Sequence, residues 1–446
     1  MGTDSAMNLG ALQIQAIVDA TKTPTPEQVR VVEAPRRPLL VVAGAGSGKT
    51  ETMSMRVLWL LANHPDLTPS SILGLTFTRK AAGELGERLR ERIRLLSREM
   101  TQLRERLDED PVSLTYNSFA ERIVSEHGMR IGIDPDFSML SEAGAIDLMT
   151  QIVESWPTDL DDDLKPLSAV EQVLHLSGEL AEHGYTVESA RGALEELGRE
   201  LEQVGETNGD ARDLLRANRR RIAFLGPIEA YQQRKRDMGV LDFSDQLVLA
   251  NRIVHEAPAV RLALREEFRA VLLDEFQDTS VIQMDLLSTL FSDHAVTAVG
   301  DPNQAIYGWR GASASSLESF LERFQTGASE EGQTLTLSTA WRNDVSILDA
   351  ANRVAAPLRE VASYQQGKDA LKAQSPVLVP RGGAGSGTVD IAYSQSYDEA
   401  LAATVDFVRR VRSQPTKDGK RRTVAVLSRR RKDFPFIDAA LRDAGI

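Results

Sequence analysis

A chain of 446 residues with 42% apolar side chains is long enough for more than one hydrophobic core, so a globular protein of several domains is expected. With 0 Cys it has no disulfides, thiolate zinc sites or iron–sulfur clusters, and its 6 His leave little for imidazole metal sites; a reducing, cytoplasmic setting fits. The net charge of −13 argues against a protein that coats nucleic acid, but 22 acidic against 11 basic residues fall between Ile131 and Gly239, so the acidity belongs to one segment.

In chain order, the start MGTDSAMNLGALQIQAIVDA lacks a basic stretch followed by an apolar core, and no run approaches the roughly 20 apolar residues of a membrane span. No membrane partner is expected. The first strand, Leu39–Ala43, runs into AGAGSGKT, the strand, Gly-rich turn and helix order of a Walker A phosphate loop, with Ala43 where the first Gly is usual. Backbone N–H groups of Gly44, Ala45, Gly46, Ser47 and Gly48 would cradle phosphates, Lys49 would balance their charge, and the Thr50 hydroxyl would bind Mg²⁺. A second strand, Ile72–Phe77, leads into TFTRKAA, and the following LGERLRERIRLLSR spaces Arg88 and Arg92 with Glu87 and Glu91 as a solvated helix face. From Ile131 to Gly239 the periodicity is helical, with no convincing strand.

Three further apolar runs follow. Ala270–Leu273 delivers Asp274 and Glu275 side by side, a metal-holding carboxylate and a general base that complement the phosphate loop. Ala295–Val299 ends in GDPNQ, and Thr334–Leu337 precedes Ala340-Trp341-Arg342. Runs without alternation read as strands buried on both faces of a parallel sheet, whose carboxyl ends carry the chemistry. Pro380–Thr388 is Gly-rich without the Lys-Thr of a phosphate loop and reads as a flexible loop; Val389–Ala392 and Thr423–Leu427 are the last predicted strands.

Pro26-x-Gln28, AGAGSGKT, TFTRKAAGEL, LDFSDQL, DEFQDTSVIQ and GDPNQAIYGWRGA, in that order, resemble the UvrD/Rep/PcrA group of superfamily 1A DNA helicases. More narrowly, GKTETMSMRVLWLLAN and GLTFTRKAAGEL resemble the motor of the actinobacterial AdnB-type helicase–nuclease subunit. The resemblance implies that Gln28 reads adenine, that Gln304 senses the γ-phosphate, and that Arg342 reaches it from a second motor domain. It also implies that Phe77, Tyr307 and Trp309 stack on bases, that Thr76, Thr78, Thr115 and Tyr116 meet DNA, and that Arg310 joins the two sites. Two motifs depart from the family: Asn117 stands where His is common, and Ala340-Trp341 replaces Asn-Tyr.

The expected fold is α/β, a P-loop NTPase (RecA-like) parallel sheet with an inserted all-helical domain and a partial second RecA-like domain. Its boundaries are the first part of the motor at 1–130, the insertion at 131–239, the second part of the motor at 240–330, and an incomplete second domain at 331–446. The expected function is that of an N-terminal fragment of an ATP- and Mg²⁺-dependent helicase motor, weakly active by itself, moving 3′→5′ on single-stranded DNA and junctions in repair or recombination. The alternative is a nucleotide- and DNA-binding module without autonomous unwinding, serving a helicase–nuclease partner subunit. A P-loop kinase or GTPase gives GDPNQAIYGWRGA no reason to exist.

Overall fold

The computed structural model describes residues 8–446 apart from 135, 159, 161–163, 205–208, 309–311, 313–315, 328–331, 365–373 and 417–418. Its strands are β1 (Leu39–Ala43), β2 (Ile72–Thr76), β3 (Val112–Thr115), β4 (Ser138–Met139), β5 (Val240–Leu241), β6 (Ala270–Leu273), β7 (Ala295–Gly300), β8 (Gln333–Leu337), β9 (Thr339–Ala340) and β10 (Val379–Pro380). Six of them form one parallel sheet in the order β3-β2-β6-β7-β1-β8, the α/β arrangement expected.

The alternation of a strand sorts its side chains between two cores. Leu40, Val42, Leu73, Leu75, Val271 and Leu273 pack on one face with the helices Tyr116–His127, Phe243–Glu256 and Val281–Phe291. Leu39, Val41, Ala43, Ile72, Ala270 and Leu272 pack on the other, with the helices Lys49–Asn63 and Arg79–Glu99. Both faces are covered, which is why these strands carry no polar stripe.

Arg92, read from its spacing as part of a solvated face, is instead 9% exposed and bonds Glu51 at 2.5 Å, because the helix Arg79–Glu99 packs against Lys49–Asn63.

The acidic segment has its own core. Helices Glu142–Glu154, Pro166–Glu182, Val187–Val204 and Gly209–Met238 contribute Met149, Val173, Ala190, and Leu225 with Tyr231, to a third apolar cluster. Its entry and exit are held side by side by β4 and β5, which pair in parallel. Just before the exit, Lys235, with a side chain 5% exposed, reaches Asp242 and Asp245 at 2.6 Å each. Burial opposes ionisation of Asp242, but the Lys235 ammonium outweighs it and lowers that pKa; burial and the Asp242 charge raise that of Asp245.

Three expectations change after residue 330. Gln333–Leu337, expected to open the second domain, pairs in parallel with β1 in the first sheet as β8; a strand belongs to the sheet that satisfies its hydrogen bonds. The Gly-rich loop is tied down, since Gly385 and Ser386 carbonyls accept from Val345 and Ser346, and Asp344 accepts from Arg381. Neither Val389–Ala392 nor Thr423–Leu427 forms a strand, and Ile391 and Leu427 are each 92% exposed. Their composition suits a pleat, but no ladder partner is recorded beside them among the described residues.

Candidate functional site

The phosphate loop turns twice through the left-handed region, at Gly46 (φ 73°) and Gly48 (φ 82°), conformations that a side chain resists. A Cβ on Gly46 would also stand 2.9 Å from Arg342 Cβ, so the chain after β9 lies directly against the loop. Gly48 caps the helix Lys49–Asn63, whose first-turn N–H groups and positive dipole end face the loop. Ser47 Oγ is buried there without a partner among the described residues. An anion cradle with an orphan hydroxyl fits a nucleotide's phosphates.

Lys49 Nζ donates to Glu275 Oε2 at 2.7 Å, joining the loop to the end of β6. Glu275 itself adopts φ 50°, a strained conformation for a residue with a side chain, and its backbone N–H donates to Asp274 Oδ1 at 3.1 Å. Burial, and then the charge of Glu275, push the Asp274 carboxyl up to about 6, with Lys49 pulling the other way. Thr50 and Asp274 are the residues that would hold a Mg²⁺ ion, and a buried carboxyl whose ionisation is resisted, with a second carboxyl next to it, fits a dication. Gln304 donates to Asp301 Oδ2 at 2.6 Å after β7, and it is exposed toward solvent.

Gln28 sits in the first turn of the helix Pro26–Val32, where the capping box of Thr25 holds its Oε1, while its Nε2 donates to Thr52 Oγ1 at 3.2 Å. It lines a cavity of about 570 Å³ with Ala11, Gln15, Thr52, Met55 and Trp341. Trp341 is the residue that motif reading missed: it registered only as a departure. Its backbone N–H donates to Gly46 O at 2.8 Å, and its exposed ring closes the cavity. Adjacency to Arg342 was the available signal.

A second cavity, of about 560 Å³, opens between the sheet and the helical insertion, lined by Phe77, Asn117, His175, Phe243 and Tyr307 among others. The Phe77 and Tyr307 rings lie parallel within 4°, centroids 6.2 Å apart. Phe243 of LDFSDQL is 57% exposed there. Tyr116, expected at the DNA, lines the same cavity but is only 4% exposed; its ring packs on Phe77 at 4.8 Å and its hydroxyl donates to Asp274 O at 3.2 Å. Burial raises its pKa.

The threonines also serve locally. Thr76 is 1% exposed and donates to Thr78 O, Thr78 caps the helix Arg79–Glu99, and Thr115 caps the helix Tyr116–His127. Trp309 and Arg310 lie outside the described residues.

The phosphate loop, the paired carboxyls and the parallel sheet define the α/β fold of the P-loop class. A family model described as the UvrD/REP helicase N-terminal domain matches residues 24–325, more than half of the chain, which therefore belongs to that family. DNA helicase II of Escherichia coli (strain K12) is 29% identical over 327 residues, 73% of this chain and 39% of that protein. The ATP-dependent DNA helicase PcrA of Staphylococcus aureus (strain Mu50) is 28% identical over 331 residues, 74% of this chain and 39% of that protein. The chain thus spans about two fifths of the length of these relatives. Among the described residues no helix is long and apolar enough to cross a membrane.

Proposed function

We propose that the chain is the nucleotide-binding and DNA-engaging part of an ATP-driven DNA helicase motor that moves on single-stranded DNA in repair or recombination. The observation that carries this reading is that the carboxyl ends of one sheet's strands support both sites: Lys49, Glu275 and Gln304 follow β1, β6 and β7, while Phe77 and Tyr307 stack beside the groove. Lys49 binds the β- and γ-phosphates, Glu275 takes the proton of the attacking water, and Gln304 and Arg342 contact the γ-phosphate. A Mg²⁺ ion held by Thr50 and Asp274 supplies charge neutralisation on the phosphates. Gln28 hydrogen-bonds adenine while Trp341 stacks on it, and Phe77 and Tyr307 stack on successive bases whatever the sequence.

The domain reading that goes with this is a motor sheet interrupted by the 131–239 helical insertion and followed, after β8, by part of a second motor domain. Steady-state ATPase of the chain with and without saturating single-stranded DNA tests the function. Weak turnover is expected, because Arg342 is exposed at the loop and an arginine finger is worth about 10³–10⁵ in rate only when held in place. Lys49→Ala should abolish nucleotide binding, whereas Glu275→Gln should bind Mg·ATP and lose hydrolysis. Normal turnover by Glu275→Gln would move the base elsewhere. Phe77→Ala should weaken oligothymidylate binding by about 1–3 kcal/mol, and unchanged affinity would show that the ring only packs on Tyr116.

A second reading, a binding module that serves a helicase–nuclease partner subunit, is favoured by the apolar surface of Ile391, Tyr393 and Leu427, each more than 90% exposed. DNA-stimulated hydrolysis by the isolated chain counts against it.

A further inference from the structure

Neither site described above uses Gln277, which is 2% exposed in the turn Phe276–Asp278 that follows β6. Its amide is committed in three directions. Nε2 donates to Glu275 Oε2 at 3.0 Å and to Asp278 Oδ2 at 3.2 Å, while Oε1 accepts the backbone N–H of Asp301 at 3.0 Å. Only this orientation of the amide works, because a flip would set its oxygen against two carboxylates and its NH₂ against an N–H donor.

Each partner leads to a different part of the machinery. Glu275 Oε2 is the atom that also accepts from Lys49. Asp301 holds Gln304 through Oδ2 and accepts from Ser375 and from the N–H of Asn303 through Oδ1. Asp278 accepts the backbone N–H groups of Ile306, at 3.2 Å, and of Tyr307, whose ring stacks on Phe77. A single buried amide therefore touches the group at the phosphate loop, the strand end that carries Gln304, and the carboxylate that carries the stacking loop.

The backbone is shaped around it. A Cβ on Gly300 would lie 2.7 Å from Gln277 Oε1 and 2.9 Å from Leu317 Cδ2, so glycine at the end of β7 is what lets the amide sit there.

We propose that Gln277 is the positioning residue that couples the nucleotide site to the DNA groove, an inference that rests on the function proposed above. When bound phosphates draw the Lys49 ammonium away, Glu275 Oε2 loses one of its two side-chain donors and keeps Gln277. A shift of Glu275 then moves the amide, and with it the Asp301 backbone and the Asp278 carboxylate under Ile306 and Tyr307. The linkage is reciprocal: a base stacked on Tyr307 fixes Asp278, and through Gln277 it fixes the direction of Glu275. Buried groups with discrete hydrogen-bond partners transmit such displacements because their alternatives are few and costly.

The test is the thermodynamic linkage between two ligands, measured on the whole chain. The affinity for fluorescein-labelled oligothymidylate is taken by anisotropy with and without saturating Mg·AMP-PNP, Mg·AMP-PNP affinity by calorimetry, and melting temperature for every variant. In the wild type the nucleotide should change DNA affinity by about fivefold or more. Gln277→Met, which keeps length and loses all three bonds, should bring that ratio under about twofold while each ligand alone binds within about threefold of wild type. Gly300→Ala, which displaces the amide without altering its chemistry, should do the same.

Retention of the wild-type ratio by Gln277→Met overturns the assignment, as does a wild-type ratio indistinguishable from one. Loss of each ligand's separate binding together with a lowered melting temperature in both variants would leave Gln277 a structural pillar and also overturn it. A wild-type chain that binds neither ligand takes down the underlying functional reading, and this inference with it.

Discussion

β1 and the segment Thr423–Leu427 have nearly the same composition, LLVVA and TVAVL, and opposite fates. β1 pairs on both sides, with β7 and β8, and all five of its residues are no more than 2% exposed. The later segment has no ladder partner among the described residues, and its Leu427 is 92% exposed. The difference teaches that an apolar β-branched run states a capacity, which only neighbours on both edges and both faces turn into a buried strand.

The comparison breaks most sharply at Arg56, which is 1% exposed in the helix Lys49–Asn63 and lies over β7. Its guanidinium donates to the carbonyls of Val31, Val32, Ala34 and Pro35 and to Thr297 Oγ1; burial pushes its pKa down to about 9. Arg56→Met should cost about 3–5 kcal/mol in urea unfolding, because it strands buried acceptors. A loss under about 1 kcal/mol would mean that water replaces the guanidinium and that this side of the sheet is looser than β1 suggests.

Leu272→Ala, in the middle of β6 and 1% exposed, should cost about 2–5 kcal/mol. Leu427→Ala, the matching truncation in the unpaired run, should stay within about 0.5 kcal/mol. Equal losses in the two would show that Leu427 is buried in solution and would erase the contrast.

Between these extremes stands the pH response of Asp274. Its pKa is raised from 3.8 to about 6, so relative to the unfolded chain its contribution favours folding below about pH 4 and is lost as pH rises through about 6. In EDTA, Asp274→Asn should therefore raise stability at pH 7.5, by on the order of 1 kcal/mol, and change it less at pH 5. A gain of the same size at both pH values would assign the effect to packing.

Read from residues alone, the geometry of the phosphate loop was legible where its determinants are neighbours in the chain. A strand, a Gly-rich turn and a helix start are contiguous in LLVVAGAGSGKT, so local sterics and hydrogen bonding determine the cradle before any tertiary contact forms. Asp274 and Glu275 were legible for the same reason, being the two residues that leave β6.

What the tertiary structure decided depends on partners far away in sequence. Trp341 closes the cavity of Gln28 because its backbone N–H meets Gly46 O, and Tyr116 lines the groove from a buried position because its hydroxyl meets Asp274 O. β8 joined the first sheet because β1 had an open edge in register with it. Gln277, one Gln in an acidic turn when read in sequence, became a branch point only when the end of β7 was brought to it. Residue type and local spacing set which hydrogen bonds a side chain is able to make; which it makes is settled by the packing of segments whose separation along the chain carries no signal of their contact.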